Sequence, residues 1–188
     1  YVLGVGLASL PLAYLAILGS ATRRDRIAAW LDPYGYKDGI GYHLFQSLVS
    51  LGSGGATGVG LGEGRQKLFY LPEAHTDFVL AVVGEELGFV GVLVVAALFF
   101  VILWRGWRAA LSAGDRFAGL LGFGITLSLA TQASVNMGVV TGVLPTKGLT
   151  LPFVSYGGSS LLVCCWMAGV LLRISTGVAD LSESRAGP

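Results

Sequence analysis

The residues best suited to chemistry fall in one stretch, 71–86, LPEAHTDFVLAVVGEE. Here the acids Glu73, Asp77, Glu85 and Glu86 and the imidazole of His75 crowd the mouth of an apolar run. A carboxylate so placed can act as a general base, hold a hard cation through its oxygens, or cap the helix that follows. For Asp77, which opens an apolar span, capping is the bland alternative and is worth about 1 kcal/mol. Arg65 and Lys67, followed by Phe69 and Tyr70, precede these acids in a pattern expected at a lipid headgroup boundary. A second polar stretch, 144–160, LPTKGLTLPFVSYGGSS, offers Lys147 and the hydroxyls of Ser159 and Ser160. A helix opening there would present free N–H groups and its positive dipole end to an anion, with Lys147 adding a full charge. The alternative is that its glycines permit close packing and Ser159 caps the helix. Glu85 and Glu86 are adjacent on a helix and so diverge by about 100°. One is therefore expected to face the site and the other, Glu86, a structural partner such as a polar residue of the third span.

The elements that position these groups belong to a membrane protein. Mean hydropathy is +0.72, 54% of residues are hydrophobic and only 12% are charged, against about 25% charged in soluble domains. Apolar runs long enough to cross a bilayer recur, which implies an all-α, polytopic helical membrane protein of about four transmembrane helices with a long extracytoplasmic loop. Spans are expected at about 1–20, 78–104, 117–143 and 157–174, with the extracytoplasmic segment at 21–77 and a disordered tail at 175–188. The net charge of +1 gives no case for nucleic acid. Basic residues beside the spans favour membrane lipids or anionic lipid-linked substrates. Cys164 and Cys165 are adjacent in an apolar run, lack metal-site spacing and read as packing residues. The chain opens at Tyr1 inside an apolar segment without an initiator Met, so we expect the C-terminal portion of a longer protein.

Within 21–77, Asp32-Pro33 reads as a turn. Residues 41–51 place His43, Gln46, Ser47 and Ser50 on one side of a helix and Leu44, Phe45, Leu48 and Val49 on the other, an amphipathic helix expected to lie on the bilayer surface. Its polar face is either wetted by water or turned toward substrate. The run 52–64, GSGGATGVGLGEG, fits neither GxGxxG nor a phosphate loop with a following Lys-Ser/Thr, and reads as a tight irregular loop. A helix over 78–104 would be roughly 40 Å long against about 30 Å of hydrocarbon. Tilt or projection must absorb the surplus, which leaves Glu85 and Glu86 near the outer boundary, facing a wet cavity. Gln132 and Asn136 stand one turn apart on the third span, suited to interhelical hydrogen bonds. The prolines and glycines of 144–160 break any helix, and such backbone at membrane depth must be buried in protein or line an aqueous cavity. Arg105, Arg108, Arg116 and Arg173 place their span ends in the cytoplasm, so the acids and Lys147 share the extracytoplasmic side.

The motifs LPEAHTDFVLAVVGEELG and LPTKGLTLPFVSYGGSS, in that order after the Asp32-Pro33 turn and GYHLFQSL, resemble the shape, elongation, division and sporulation (SEDS) family, and within it the division branch. The resemblance covers about Arg26 to Arg173 and corresponds to roughly the last four of about ten spans. It implies a peptidoglycan glycosyltransferase that polymerises lipid II during septal wall synthesis at the outer face of the bacterial cytoplasmic membrane. Undecaprenyl pyrophosphate would be the leaving group, and a class B penicillin-binding transpeptidase and other divisome proteins the partners. It also implies that Asp77 is the essential acid, as a base or as a ligand for a divalent cation, Mg2+ or Mn2+. Arg65, Lys67, Glu73, His75, Lys147, Ser159 and Ser160 would bind substrate, and Glu85, Glu86, Gln132 and Asn136 would shape the cavity. A lipid II flippase and a non-catalytic divisome scaffold are the rival readings.

Overall fold

The computed structural model describes residues 19–64 and 76–185. The expected first span therefore lies almost wholly outside the described residues, as do Arg65, Lys67, Glu73 and His75. Five helices follow in order: α1 Ala21–Leu31, α2 Tyr42–Gly54, α3 Val79–Leu111, α4 Arg116–Val140 and α5 Gly158–Arg185. Helices α3, α4 and the Gly158–Thr176 part of α5 are long and apolar enough to cross a membrane. Their outward faces carry large apolar side chains such as Phe89, Phe100, Leu120, Leu162 and Trp166, all exposed in the isolated chain. That inversion suits a protein whose solvent is lipid. The protein is a polytopic helical membrane protein, as its composition requires.

The turn between α3 and α4 is fixed by Asp115, the N-cap of α4, whose carboxylate accepts the Ala118 N–H at 3.2 Å. The Asp32-Pro33 turn forms as expected, with the Gly35 N–H donating to Asp32 Oδ1 at 3.0 Å. The core sits between α3 and α4, where Leu80, Ala81, Phe99, Ala133 and Val140 pack with Leu151 from the α4–α5 connection. A second cluster joins Leu129 of α4 to Cys164 and Leu171 of α5. Cys164 is thus a packing residue, whereas Cys165 is exposed on the outer face of the helix.

The structure departs from the sequence reading at three elements. Helix α2 does not turn its polar face outward. It packs its small, polar face inward, with Leu44, Ser47, Ser50 and Gly54 buried and Val49 exposed. The Ser47 hydroxyl donates to the Val140 carbonyl at 2.8 Å, and Gly54 meets Gly84 so closely that a Cβ on Gly54 would overlap the Gly84 carbonyl. Without water to drive apolar faces together, small residues that let backbones approach become the contact face. The tail is the second departure, because α5 continues as helix beyond Ile174 to Arg185.

The third departure is α3 itself, which runs past Trp104 to Leu111 and is broken at Gly88 (φ 69°, ψ −164°). In an unbroken helix the Phe89 and Val90 N–H groups would donate to the carbonyls of Glu85 and Glu86. Here they donate instead to Gly55 and Ala56, at 2.9 and 3.2 Å. The freed carbonyls of Glu85 and Glu86 accept from Val59 and Gly60, at 3.0 and 3.1 Å. The glycine-rich loop is thus spliced into the gap, and its backbone pairs the two donors and two acceptors that the break sets free. Only glycine fits at position 88, since its φ is left-handed and a Cβ would overlap Gly58 N and the Ala56 carbonyl. The break also resolves the length surplus, because residues 89–111 alone span roughly 35 Å.

Candidate active site

Thr76–Phe78 form the turn that opens α3, and the N-cap position falls on Phe78 rather than Asp77. Phe78 is buried and anchors the turn in the core, which leaves Asp77 half-buried at its rim. The turn is held from α4. Asn136, itself only 1% exposed, donates through Nδ2 to the Asp77 carbonyl at 2.8 Å and to the Leu149 carbonyl. One turn earlier, Gln132 donates to the Thr150 carbonyl at 3.0 Å, and the Thr150 and Ser160 hydroxyls pair at 3.0 Å. The Gln132–Asn136 stripe therefore does make interelement hydrogen bonds, and its partners are backbone carbonyls of the two loops that frame the site.

Those loops enclose a cavity of about 300 Å3 lined by Arg26, His43, Asp77, Thr146, Lys147 and Gly148, among others. Asp77 lies against the 147–149 backbone, where a Cβ on Gly148 would stand 3.0 Å from Asp77 Oδ2. Helix α1 delivers Arg26, and its position is set one turn later by Trp30, whose Nε1 donates to the Gly142 carbonyl at 2.8 Å. Helix α2 delivers His43, which stacks on Phe78 with ring centroids 6.0 Å apart and planes 11° from parallel. His43 Nδ1 is buried without a hydrogen-bond partner. The cavity thus combines one carboxylate, two cations and an imidazole in a partly enclosed space. Such a set can take a proton from a neutral nucleophile and hold an anionic leaving group beside it.

Among the described residues no group of three or more His, Cys, Asp or Glu side chains could hold a metal ion. Among the described residues Asp77 is the cavity's one carboxylate, and a hard cation held by it would take phosphate oxygens as further ligands.

Of the residues singled out by sequence, the structure brings Asp77 and Lys147 into one cavity, with Asn136 and Gln132 behind them. Ser159 and Ser160 do not line that cavity, although Ser160 is tied to the loop behind it through Thr150. The start of α5 borders a separate cavity of about 570 Å3 lined by Val79, Phe153, Tyr156, Gly157 and Gly158, among others. The reason is the tight turn at Leu151–Ser155, closed by the Leu151 N–H donating to Ser155 Oγ at 2.7 Å, which parts Lys147 from the helix start. Glu85 and Glu86 also fall outside the Asp77 cavity. Glu85 is buried and Glu86 half-buried, and both carboxylates reach Gly64, at whose Cβ position Glu85 Oε2 and Glu86 Oε1 would be 3.0 and 3.1 Å away. The expected split fails because long side chains can converge from diverging Cβ directions onto a loop laid across both. Arg26 is a cavity residue that the sequence alone does not single out. Its helical spacing from Trp30 was the available signal.

At the far end of α3 the Arg108 guanidinium lies over Trp104, 5.6 Å from the ring centroid, and Trp107 packs on Phe123 at 5.2 Å. Arg116 opens α4 on the same side.

The fold and the cavity define a class: a multi-pass helical membrane protein with a carboxylate and cations gathered at the mouth of one span. The family model described as "Cell cycle protein", covering FtsW, RodA and SpoVE, matches residues 1–179, and the chain belongs to that family. It is 54% identical over 176 residues to a probable peptidoglycan glycosyltransferase FtsW of Geobacter metallireducens, covering 94% of this chain and 47% of that protein. A protein of the same description from Hahella chejuensis is 53% identical over 82% of this chain and 40% of its own length. The chain therefore spans about half the length of the curated relatives it matches. Among solved structures, one described as structural coordination of polymerization and crosslinking by a peptidoglycan synthase complex aligns with a TM-score of 0.69 and 35% identity, over 93% of this chain and 48% of that one. A rod shape determining protein RodA variant from Thermus thermophilus aligns with a TM-score of 0.50 and 38% identity, over 70% and 39%.

Proposed function

We propose that this chain carries the catalytic face of a peptidoglycan glycosyltransferase that polymerises lipid II during septal wall synthesis. The observation that carries the reading is the meeting of Asp77, Arg26 and Lys147 in one cavity. Joining two lipid-linked disaccharides needs a base for the acceptor 4-hydroxyl and positive charge for the departing undecaprenyl pyrophosphate. Asp77 takes the proton as the hydroxyl oxygen attacks the donor's anomeric carbon. The bond to pyrophosphate breaks, and Lys147 and Arg26 hold the charge it carries away. As the alternative to a base, Asp77 would be a direct ligand of a divalent ion, Mg2+ or Mn2+, whose other ligands would include those phosphate oxygens. The arginines at the far end of α3 favour an extracytoplasmic cavity. The likeness to a peptidoglycan synthase complex supports a class B transpeptidase as partner.

The broken α3 and its spliced loop are the features on which a transporter reading would rest. Purified full-length protein with its transpeptidase, given lipid II in detergent, separates the two. Glycan polymer forms if the chain belongs to a polymerase, and none forms if it only moves lipid II. The expected result is polymer from the wild type and a loss of at least about 100-fold for Asp77→Asn, the lower range for removing a general base. Wild-type polymerisation by the Asn variant would remove Asp77 from the reaction.

A further inference from the structure

We propose that Arg105, Arg108 and Ser112 of α3, with Ser175 of α5, form a binding site for the phosphate of an anionic phospholipid headgroup. The site lies at the opposite end of α3 from Asp77 and is independent of the glycosyltransferase reading. Residues 105, 108 and 112 follow helical spacing along one face. Together with Ala109 and Ser175 they line a cavity of about 230 Å3 between the two helices.

The chemistry is that of a phosphate site. Both arginines are exposed, and among the described residues neither has a carboxylate partner. The nearest acid in sequence, Asp115, is committed to the cap of α4. Guanidinium forks match phosphate oxygens in geometry as well as charge. The Arg108 guanidinium lies over the Trp104 ring, 5.6 Å from its centroid, a contact with the ring face that takes up none of the in-plane N–H donors by hydrogen bonding. The Ser175 hydroxyl donates to the Leu172 carbonyl at 2.8 Å and so shapes the wall, while Ser112 supplies a hydroxyl from the α3 side. The C-terminal carbonyls of α3 oppose an anion with about half a charge, which two full positive charges outweigh.

Placement argues for a lipid phosphate over a free one. Immediately before the arginines α3 exposes Phe100, Val101, Ile102 and Trp104, an apolar wall along which acyl chains can run while the headgroup meets the arginines at interface depth. Free phosphate has no use for that wall.

The test uses full-length protein purified in zwitterionic detergent and native mass spectrometry with dioleoylphosphatidylglycerol, dioleoylphosphatidylcholine and inorganic phosphate. We expect phosphatidylglycerol to bind in preference to phosphatidylcholine, and millimolar inorganic phosphate not to displace it. Arg105→Gln alone should weaken binding roughly fivefold, and Arg105→Gln with Arg108→Gln roughly 30-fold, as expected from the charge lost. The double Lys variant should retain most of the affinity. Equal binding of phosphatidylcholine, or displacement by inorganic phosphate, would overturn the assignment to an anionic lipid. Unchanged phosphatidylglycerol binding in both Gln variants would overturn the site.

Discussion

At the scale of single residues, Asp77 and Lys147 should fail in different ways. Asn at position 77 keeps the shape and the capping ability of Asp but cannot take a proton. Asp77→Asn should therefore insert and fold like wild type, bind lipid II, and lose turnover. Lys147→Ala removes a charge-assisted contact worth about 1.5–3 kcal/mol, so lipid II should bind roughly 10- to 150-fold more weakly, and unchanged binding would refute the role. Asn136 touches neither substrate nor reacting atoms in this reading; it is a positioning residue. Replacing it with Leu orphans the Asp77 and Leu149 carbonyls at about 1–3 kcal/mol each. Turnover should fall with KM nearly unchanged, and melting should drop by several degrees. A variant that melts early yet turns over normally would assign Asn136 to stability alone. Asp77 and Lys147 were legible in the sequence because each sits in a polar interruption of an otherwise apolar chain. Arg26 and His43 were not, because what makes them cavity residues is the docking of α1 through Trp30 and the stacking of His43 on Phe78, contacts between segments far apart in sequence.

At the scale of elements, the apolar spans and α2 were legible as helices, whereas α1 and the roles of α2 and α3 were not. The α4 stripe of Gln132 and Asn136 announced its hydrogen bonding, since amides in an apolar span need partners. Helix α2 misled because serine counts as polar on any hydropathy pattern. Once its hydroxyl is satisfied by a carbonyl, as Ser47 is by Val140, serine is simply small. The break in α3 was invisible because glycine interrupts no apolar pattern, and the partners that make the gap tolerable come from the loop after α2. Gly88→Ala should be destabilising by at least about 2 kcal/mol, from left-handed backbone and overlap with the spliced loop. Gly52→Ala, whose Cβ would meet nothing within 4 Å, should be neutral or stabilising by about 0.5–1 kcal/mol because it lies inside a helix. Thermal unfolding in detergent compares the two, and equal shifts would mean that the splice does not hold the native state together.

At the scale of the whole molecule, the arrangement commits the two ends of the bundle to opposite sides of the membrane. Lys147→Cys should react with a membrane-impermeant maleimide added outside intact spheroplasts, whereas Arg116→Cys should react only after the membrane is opened. The reverse pattern would turn the protein over and place the cavity with the cytoplasm. Fold class was legible at this scale from composition alone, since so few charges cannot cover a water-soluble surface.

The splice at Gly88 also acts on the chain as a polymer. By tying residues 55–60 to residues 85–90, it joins the two ends of everything between them, including the approach to Asp77, into a ring whose closing entropy is met by the transmembrane fold. The length of that ring then enters stability only logarithmically, at about 0.6 kcal/mol for each doubling. Lengthening, shortening or recomposing the stretch before the Asp77 turn should therefore cost the bundle little, while the four hydrogen bonds of the clasp keep its two ends together.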